Sequence, residues 1–462
     1  MYAFLYGVLV FSIQKPLESS YLDGVNVEQF YGDDRSQDRV VLVEDPLDAG
    51  VARVNLIANA EDTLDITYHV LHAGKASDVF FSSIIDAADR GVKVRILLDG
   101  MFHNLRGSMK DVLYAFTFHN NIELKFYEPI DALRPWTLNN RLHDKLIISD
   151  KEYAVIGGRN IGDKYFAPEG FEGASNDRDV IIINTDLHSI NGSVVNDMKE
   201  YFDKVWEHEY TKTPLTQLSY KQKGVAQDSL DTFRLLFNTF FLDHPEFLQN
   251  DLDWLDQSVP TNKITFIHNP IERMNKEPWV WYELTNLMEH AEQSILIQSP
   301  YIIPTKNMTK HLNTSNISAN DITILTNSLS ATSNVIAYSG YKRYREKIAG
   351  SIANLYEYQN STNQLHTKSF LFDNQISVIG SFNLDPRSTF LSTESMVVID
   401  SEELADLLIQ EVEAVIERQS LLVNYDGTYV YNPLVEEEKV PFKKAIITKI
   451  LSIPVRLVEN ML

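Results

Sequence analysis

The chain has 462 residues, enough for two domains of about 200 residues each, and its 44% hydrophobic content is that of a globular protein. It contains no cysteine, which removes disulfides, thiolate nucleophiles and cysteine-based metal centres. A formal net charge of −23 speaks against a general nucleic-acid binder, which would neutralise phosphates with lysine and arginine, but leaves room for one locally basic site.

Residues 1–13 are apolar and uncharged. The run is shorter than the roughly 20 residues that span a bilayer, and it lacks the basic leader of a signal peptide. It either packs on the body or anchors the protein to a membrane. Residues 14–40 are polar and irregular and read as a linker. A first domain is expected over residues 41–210, and from about Asp48 strands and helices alternate in it. A strand ends at Tyr68, an amphipathic helix runs over 79–90, and a buried strand covers 91–99. A helix over 109–118 and a strand over 122–127 follow. Such alternation predicts an α/β sheet. An apolar run at 180–183 and a helix over 186–206 close this half near residue 210. Residues 211–260 break the pattern, with an aromatic-rich stretch at 233–247, and read as a connecting insertion. Residues 261–430 then replay the first half, with strands expected at 291–298, 320–327 and 394–399 and a helix over 401–418. This is one duplication, since solenoids have shorter and more numerous repeats. Residues 431–462 carry Lys443, Lys444, Lys449 and Arg456 among Ile, Leu, Val and Phe, with Pro454 as a helix breaker. Such a basic amphipathic segment suits an anionic membrane surface, or docks on the core by its apolar face.

One pattern occurs in both halves. The first copy has His143, Lys145 and Asp150, then six residues, then Gly157-Gly158-Arg159-Asn160. The second has His366, Lys368 and Asp373, six residues, then Gly380-Ser381-Phe382-Asn383. His and Lys two apart on a strand share a face. If each copy folds back as a hairpin near Lys151 and Asn374, residue 143 falls beside 159 and 145 beside 157. Likewise 366 falls beside 382 and 368 beside 380. Each hairpin then gathers an imidazole, an ammonium, an amide and bare glycine backbone, a set suited to phosphate.

These motifs resemble the paired HKD motifs of the phospholipase D superfamily, over roughly residues 40–430. The run Gly157–Phe166 (GGRNIGDKYF) and Ser299-Pro-Tyr301-Ile-Ile-Pro304 are similar to the bacterial cardiolipin synthases. The resemblance implies two phospholipase D-like domains related by pseudo-twofold symmetry, each a mixed sheet flanked by helices, with one active site between them. It implies His143 as nucleophile and His366 as general acid and base, through a phosphohistidine. Lys145 and Lys368 would offset phosphoryl charge. Asn160, Asn383, Ser381 and the glycines 157, 158 and 380 would bind substrate. A carboxylate is expected to fix each imidazole. Glu394 is one. The other is Asp177 or Asp179, and aligning the repeats by eye sets Asp179 opposite Glu394. Asp150 and Asp373 belong to the motif and are counted with the catalytic set, although their place at the turn suits capping of the hairpin. Arg159 is either a phosphate ligand or a surface charge. His69, His103 and His290 show no ligand spacing and read as ordinary polar residues. Trp136, Tyr165, Phe166, Tyr301 and Phe382 are candidates for shielding the site from water.

The expected activity is phosphatidyl transfer, with phosphatidylglycerol as substrate and phosphatidylglycerol or phosphatidylethanolamine as partner, at the bacterial cytoplasmic membrane. Neither cofactor nor metal is expected, nor nucleic acid. The competing reading is a hydrolase or phosphodiesterase of the same fold.

Overall fold

Two sheets with the same strand order frame the protein in a computed structural model that describes residues 2, 5–167, 171–189, 192–248 and 254–462. The strands of the first half are β1 (Asp38–Val43), β2 (Thr63–Tyr68), β3 (Lys93–Asp99), β4 (Ile122–Tyr127), β5 (Leu146–Ser149) and β6 (Tyr153–Gly157). β7 (Ser175–Asn176), β8 (Asp179–Asn184), β9 (Thr211–Lys212) and β10 (Val259–Pro260) complete it. The second half has β11 (Lys263–His268), β12 (Ser294–Gln298), β13 (Asp321–Asn327), β14 (Asn354–Tyr358), β15 (Gln364–Leu365), β16 (Ser369–Phe372), β17 (Ile376–Gly380), β18 (Ser395–Asp400) and β19 (Ser420–Leu422).

The first sheet is ordered β10-β1-β8-β6-β5-β2-β3-β4-β9, and the second β11-β18-β17-β16-β12-β13-β14-β19. Apart from β10 they correspond strand for strand. In each, three central neighbours run parallel, β2-β3-β4 and β12-β13-β14, and the remaining pairs are antiparallel. The expected α/β class with two repeated halves is therefore present. The first sheet also takes in β9 and β10, so it runs past residue 210 into both ends of the stretch expected as a connection.

The helices used below are α1 (Pro46–Ala58), α2 (Lys75–Arg90), α3 (Lys110–Phe118), α4 (Asp163–Phe166), α5 (Val194–Glu207), α6 (Tyr220–Asp243), α7 (Trp279–His290), α8 (Val335–Tyr341), α9 (Glu402–Gln419) and α10 (Phe442–Leu451). α1 begins where Asp45 accepts the Leu47 and Asp48 N–H groups and Pro46 pre-sets the first turn. α6 fills the stretch expected as an insertion and opens on a capping box, Ser219 with Gln222. The helix expected from residue 186 begins only at Val194, after the Ser193 cap; residues 190 and 191 lie outside the described residues.

Among the described residues four apolar cores hold this frame, the smallest packing Leu408 and Val412 of α9 on Leu325, Tyr358 and Leu371. One packs α1, α2 and α3 on the first sheet, and one packs α7 and α8 on the second. The third is shared: Val40, Ile156, Val180 and Phe202 of the first half meet Ile264, Ile379, Val397 and Leu404 of the second. The stretch expected as a linker is no linker. Val27 and Phe30 are buried in the second half's core, Tyr21 stacks on Trp279 at 4.0 Å, and residues 38–43 form β1. Of the apolar start, residues 1, 3 and 4 lie outside the described residues. Phe11 is buried, while Leu5, Tyr6, Leu9 and Ile13 are exposed. Among the described residues no helix is long and apolar enough to cross a membrane.

Candidate active site

The hairpins form in the register read from the spacing. β5 pairs with β6 with Leu146 opposite Ile156, and β16 with β17 with Ser369 opposite Ile379. Both turns use two consecutive residues with left-handed backbone, Asp150 and Lys151 at φ 51° and 60°, and Asp373 and Asn374 at φ 52° and 54°. Asp and Asn tolerate that conformation best among residues with a side chain.

The two aspartates at these turns leave the catalytic set. Asp150 accepts the N–H groups of Glu61, Asp62 and Thr63 at 2.7–2.9 Å. Asp373 accepts those of Glu292, Gln293 and Ser294 at 2.7–3.0 Å. Each ties its hairpin to the entry of the next strand, β2 or β12, and is fully used in doing so.

His143 and His366 come together from opposite halves, and each takes its carboxylate from the other half. His143 Nδ1 lies 2.9 Å from Glu394 Oε2. His366 Nδ1 lies 2.5 Å from Asp177 Oδ2. Backbone contacts across the same boundary seat the rings. The His143 N–H donates to Thr393 Oγ1 (3.0 Å) and the His366 N–H to the Asn176 carbonyl (2.7 Å), beside the short parallel pair β7–β15. The carboxylates hold the proton on Nδ1 and leave Nε2 of each ring as the reactive nitrogen.

Asp177, rather than Asp179, is therefore the partner of His366. Strand register gives the reason. Gly157 faces Asp179 in one half and Gly380 faces Met396 in the other, so Asp177 is the counterpart of Glu394. Asp179 is instead buried between Arg159 and Arg53, at 2.8 and 3.0 Å. This also fixes Arg159, which is neither phosphate ligand nor surface charge but an internal partner of Asp179 that also donates to the Val43 and Glu44 carbonyls.

The glycines serve close packing. A Cβ on Gly157 would lie 2.1 Å from Asp179 Oδ1, one on Gly158 2.1 Å from Asp177 Oδ1, and one on Gly380 2.3 Å from the Ser395 carbonyl. The Gly158 and Gly380 N–H groups donate to the Arg178 and Lys368 carbonyls, so they do not cradle substrate. Ser381 likewise turns to the carboxylate, donating to Glu394 Oε2 at 2.5 Å. Asn160 is held on both sides, accepting the Val70 N–H at 3.2 Å and donating to Tyr165 Oη at 3.3 Å. Asn383 keeps a buried Oδ1 without a partner.

Lys145 and Lys368 are buried, and each Nζ donates to the carbonyl of its own histidine. Burial pushes Lys145 down to about 7 and Lys368 to about 8, against the pull of Glu394 and Asp177. The imidazoles are held down as well, His143 well below its ordinary value and His366 at about 4, by burial and by the lysines. The two carboxylates differ. Burial raises Glu394 to about 7. Asp177 feels the same burial, but Lys368 and His366 overcome it and hold it at about 2.

His69, passed over in the sequence, stands in the site. Its ring centre is 5.0 Å from that of His143, edge to face, and its Nδ1–H donates to the Leu142 carbonyl at 2.6 Å. No motif spacing marks it, because it sits after β2 rather than in the hairpin. His103 and His290 bond locally, to the Leu105 N–H and the Asn286 carbonyl. Of the aromatics, Tyr165 lies against His366 at 6.2 Å. Phe382 is core, stacked with Trp281, and Phe166 covers Arg53 on the far side of α4. Trp136 and Tyr301 pack on the second core.

The family model described as cardiolipin synthase, PLD-like domain matches residues 54–206 and 284–416. Cardiolipin synthase C of Escherichia coli K12 is 32% identical over 79% of this chain and 82% of its own length. An uncharacterized protein of Helicobacter pylori J99 is 30% identical over 79% of this chain and 76% of its own. Among solved structures, the phosphatidylserine synthase of Haemophilus influenzae Rd KW20 superposes with a TM-score of 0.64 at 14% identity, covering 94% of this chain and 99% of that one, which speaks for the fold.

Proposed function

This chain belongs to the cardiolipin synthase, phospholipase D-like family of phosphatidyltransferases, and we propose on that premise that it joins two phosphatidylglycerols into cardiolipin with release of glycerol, phosphatidylethanolamine being the alternative partner. The observation that carries the reading is the crossed pair of imidazoles, each with Nδ1 committed and Nε2 free, above two buried lysines.

His143 Nε2 attacks phosphorus. The P–N bond forms, the bond to the glycerol oxygen breaks, and His366 gives that oxygen its proton. His366, now neutral, takes the proton from the hydroxyl of the second phosphatidylglycerol. That oxygen attacks phosphorus, and the P–N electrons return to His143. Each displacement is easier than direct exchange. Lys145 and Lys368 neutralise the phosphoryl oxygens in a site from which water is largely excluded. Burial and, after it, the lysine charge hold His366 down; the entering diester anion offsets the second of these, so that His366 can carry its proton. No step calls for a metal, and turnover is expected to persist in EDTA.

The substrate puts the work at a bilayer. In support, α10 docks on α8, where Ser339 donates to the Thr448 carbonyl, and on the loop before it, where Lys444 donates to the Ser330 carbonyl, yet it turns Phe442, Ile446, Ile447 and Ile450 outward, beside Lys443 and Lys449. Leu5, Tyr6, Leu9 and Ile13 near the other end of the chain are exposed as well, and an apolar, locally basic face on an acidic protein suits an anionic membrane.

Radiolabelled phosphatidylglycerol vesicles, followed by lipid chromatography, test the proposal. Cardiolipin and glycerol are the expected products. Phosphatidic acid as the main product would make the protein a hydrolase. In wild type quenched during turnover the phosphatidyl group is expected on His143, detectable by mass spectrometry; label on another residue overturns the assignment of the nucleophile.

A further inference from the structure

We infer that the groove between α1, α2 and α6 receives one acyl chain of the phospholipid whose phosphate lies at the two histidines, an inference that rests on the lipid reading above. The groove encloses a cavity of about 180 Å³ whose walls are almost wholly apolar, including Leu47, Val54, Val79, Phe166, Phe240 and Phe247. A dry apolar cavity of about 150 Å³ already takes up a benzene molecule, so this one has room for a run of methylenes.

Its place in the fold selects the occupant. The groove and the catalytic site share a wall, the segment from Asn160 through α4. Asn160 is at the site, and the next residue, Ile161, lines the groove. Tyr165 lies 6.2 Å from His366, and the next residue, Phe166, again lines the groove. The groove is lined by the first turns of α1 and α2, and α2 starts just after the strand end that carries His69. It therefore opens at the edge of the sheet where the histidines stand.

The polar groups around it fit a phospholipid. Arg53 contributes no free charge, since it is taken by Asp179 at 3.0 Å, Tyr68 Oη at 3.0 Å and the Ala49 carbonyl at 2.9 Å, with its flat face on Phe166. Lys75 is exposed at the rim. Lys164 lies over the Tyr165 ring at 4.9 Å, on the wall towards His366. An apolar slot with Lys75 at its rim and Lys164 on its wall fits a hydrocarbon chain beneath an anionic headgroup, the Asp163 carboxylate at the same rim being taken up by the Ala76 N–H at 2.8 Å. The two catalytic rings are themselves only 15% and 13% exposed, so a diester that reaches them brings the first carbons of its chains inside the protein. The aromatic stretch at 233–247, which the chemistry of transfer does not use, supplies the groove's outer wall through Phe240 and Phe247.

The test fills the groove without touching the site. Val79→Trp and Val54→Phe are compared with wild type on dioleoyl phosphatidylglycerol in vesicles, on dihexanoyl phosphatidylglycerol and on bis(p-nitrophenyl) phosphate, which has no acyl chain. Losing the burial of about two methylenes is worth about tenfold in affinity. KM for the dioleoyl lipid is expected to rise about tenfold in both variants, with the short-chain lipid and the acyl-free diester turned over as by wild type. That last activity also reports that the variants fold. A photoactivatable diazirine at the chain end is expected to label α1, α2 or α6. Unchanged chain-length dependence in both variants, or label confined to other segments, overturns the groove while leaving the transferase reading intact. Wild type that cleaves the acyl-free diester but no phosphatidylglycerol overturns both.

Discussion

His143 Nδ1 meets Glu394 Oε2 at 2.9 Å although 251 positions separate the two residues. The same crossing joins His366 to Asp177, 189 positions away. Neither motif is a complete half-site, and the pairing, rather than the motif, defines the catalytic unit.

Exchanging these carboxylates for amides should therefore disable chemistry more than folding. Asp177→Asn and Glu394→Gln present an N–H where Nδ1 needs an acceptor, and kcat is expected to fall by roughly 10²–10⁴-fold. Asp179→Asn separates the two aspartates. It leaves Arg53 and Arg159 buried with weakened partners, and it is expected to cost about 3–5 kcal/mol of stability. Urea unfolding and steady-state kinetics on the three variants decide it. Equal loss of activity with no loss of stability in Asp179→Asn would reverse the assignment.

Lys145 shows the cost of building the site. Lysine titrates near 10.5 when exposed, and burial lowers Lys145 to about 7. The native state thus gives up this proton earlier than the unfolded chain, and the contribution of Lys145 to stability rises with pH from about 7 towards 10.5. At neutral pH its burial as a cation is unfavourable. Lys145→Met is expected to be inactive yet more stable by about 1–4 kcal/mol at pH 7, with the gain shrinking as the pH is raised. Thermal melts at pH 7 and pH 9.5 test the sign; a gain that grows with pH contradicts it.

The turn aspartates call for the opposite behaviour. Asp150→Ala and Asp373→Ala each strand backbone N–H groups at the start of a strand, and a loss of about 1–3 kcal/mol is expected. The rate with an acyl-free diester at a temperature where the variants remain folded should stay within about threefold of wild type. A hundredfold drop would return these residues to the chemistry.

The outward face of α10 gives a fourth prediction. Ile446→Glu with Ile450→Glu adds charge to exposed apolar positions. Sedimentation with anionic vesicles should be lost, while the acyl-free diester is still turned over. Unchanged vesicle binding would take α10 out of the membrane contact.

The hairpins, their register and the α/β class with duplicated halves were legible because they rest on local periodicity and on a spacing that occurs twice. The carboxylate of His366 was not. Asn160 and Asp177 are 17 positions apart, Asn383 and Glu394 only 11, and a loop that differs by six residues hides the equivalence until strand register supplies it. The roles of the glycines and Ser381 were missed for a related reason. A small residue next to a phosphate motif suggests room for phosphate, whereas here the space is taken from within the same half, by Asp179, Asp177 and Glu394 or, at Gly380, by the Ser395 carbonyl. The burial of Val27 and Phe30 was invisible because the partners of that polar stretch lie in the second half, far along the chain.

The crossed carboxylates also time the appearance of chemistry during synthesis. His143 leaves the ribosome long before Glu394, and in the interval the core shared by the two halves also lacks its second wall. Throughout that interval the His143 imidazole lacks the carboxylate that orders it. A transcript cut short, or a nascent chain stalled before residue 394, leaves His143 without Glu394. Both imidazole–carboxylate pairs are complete only when the second half has closed over the first, so the site is the last thing the folding chain assembles.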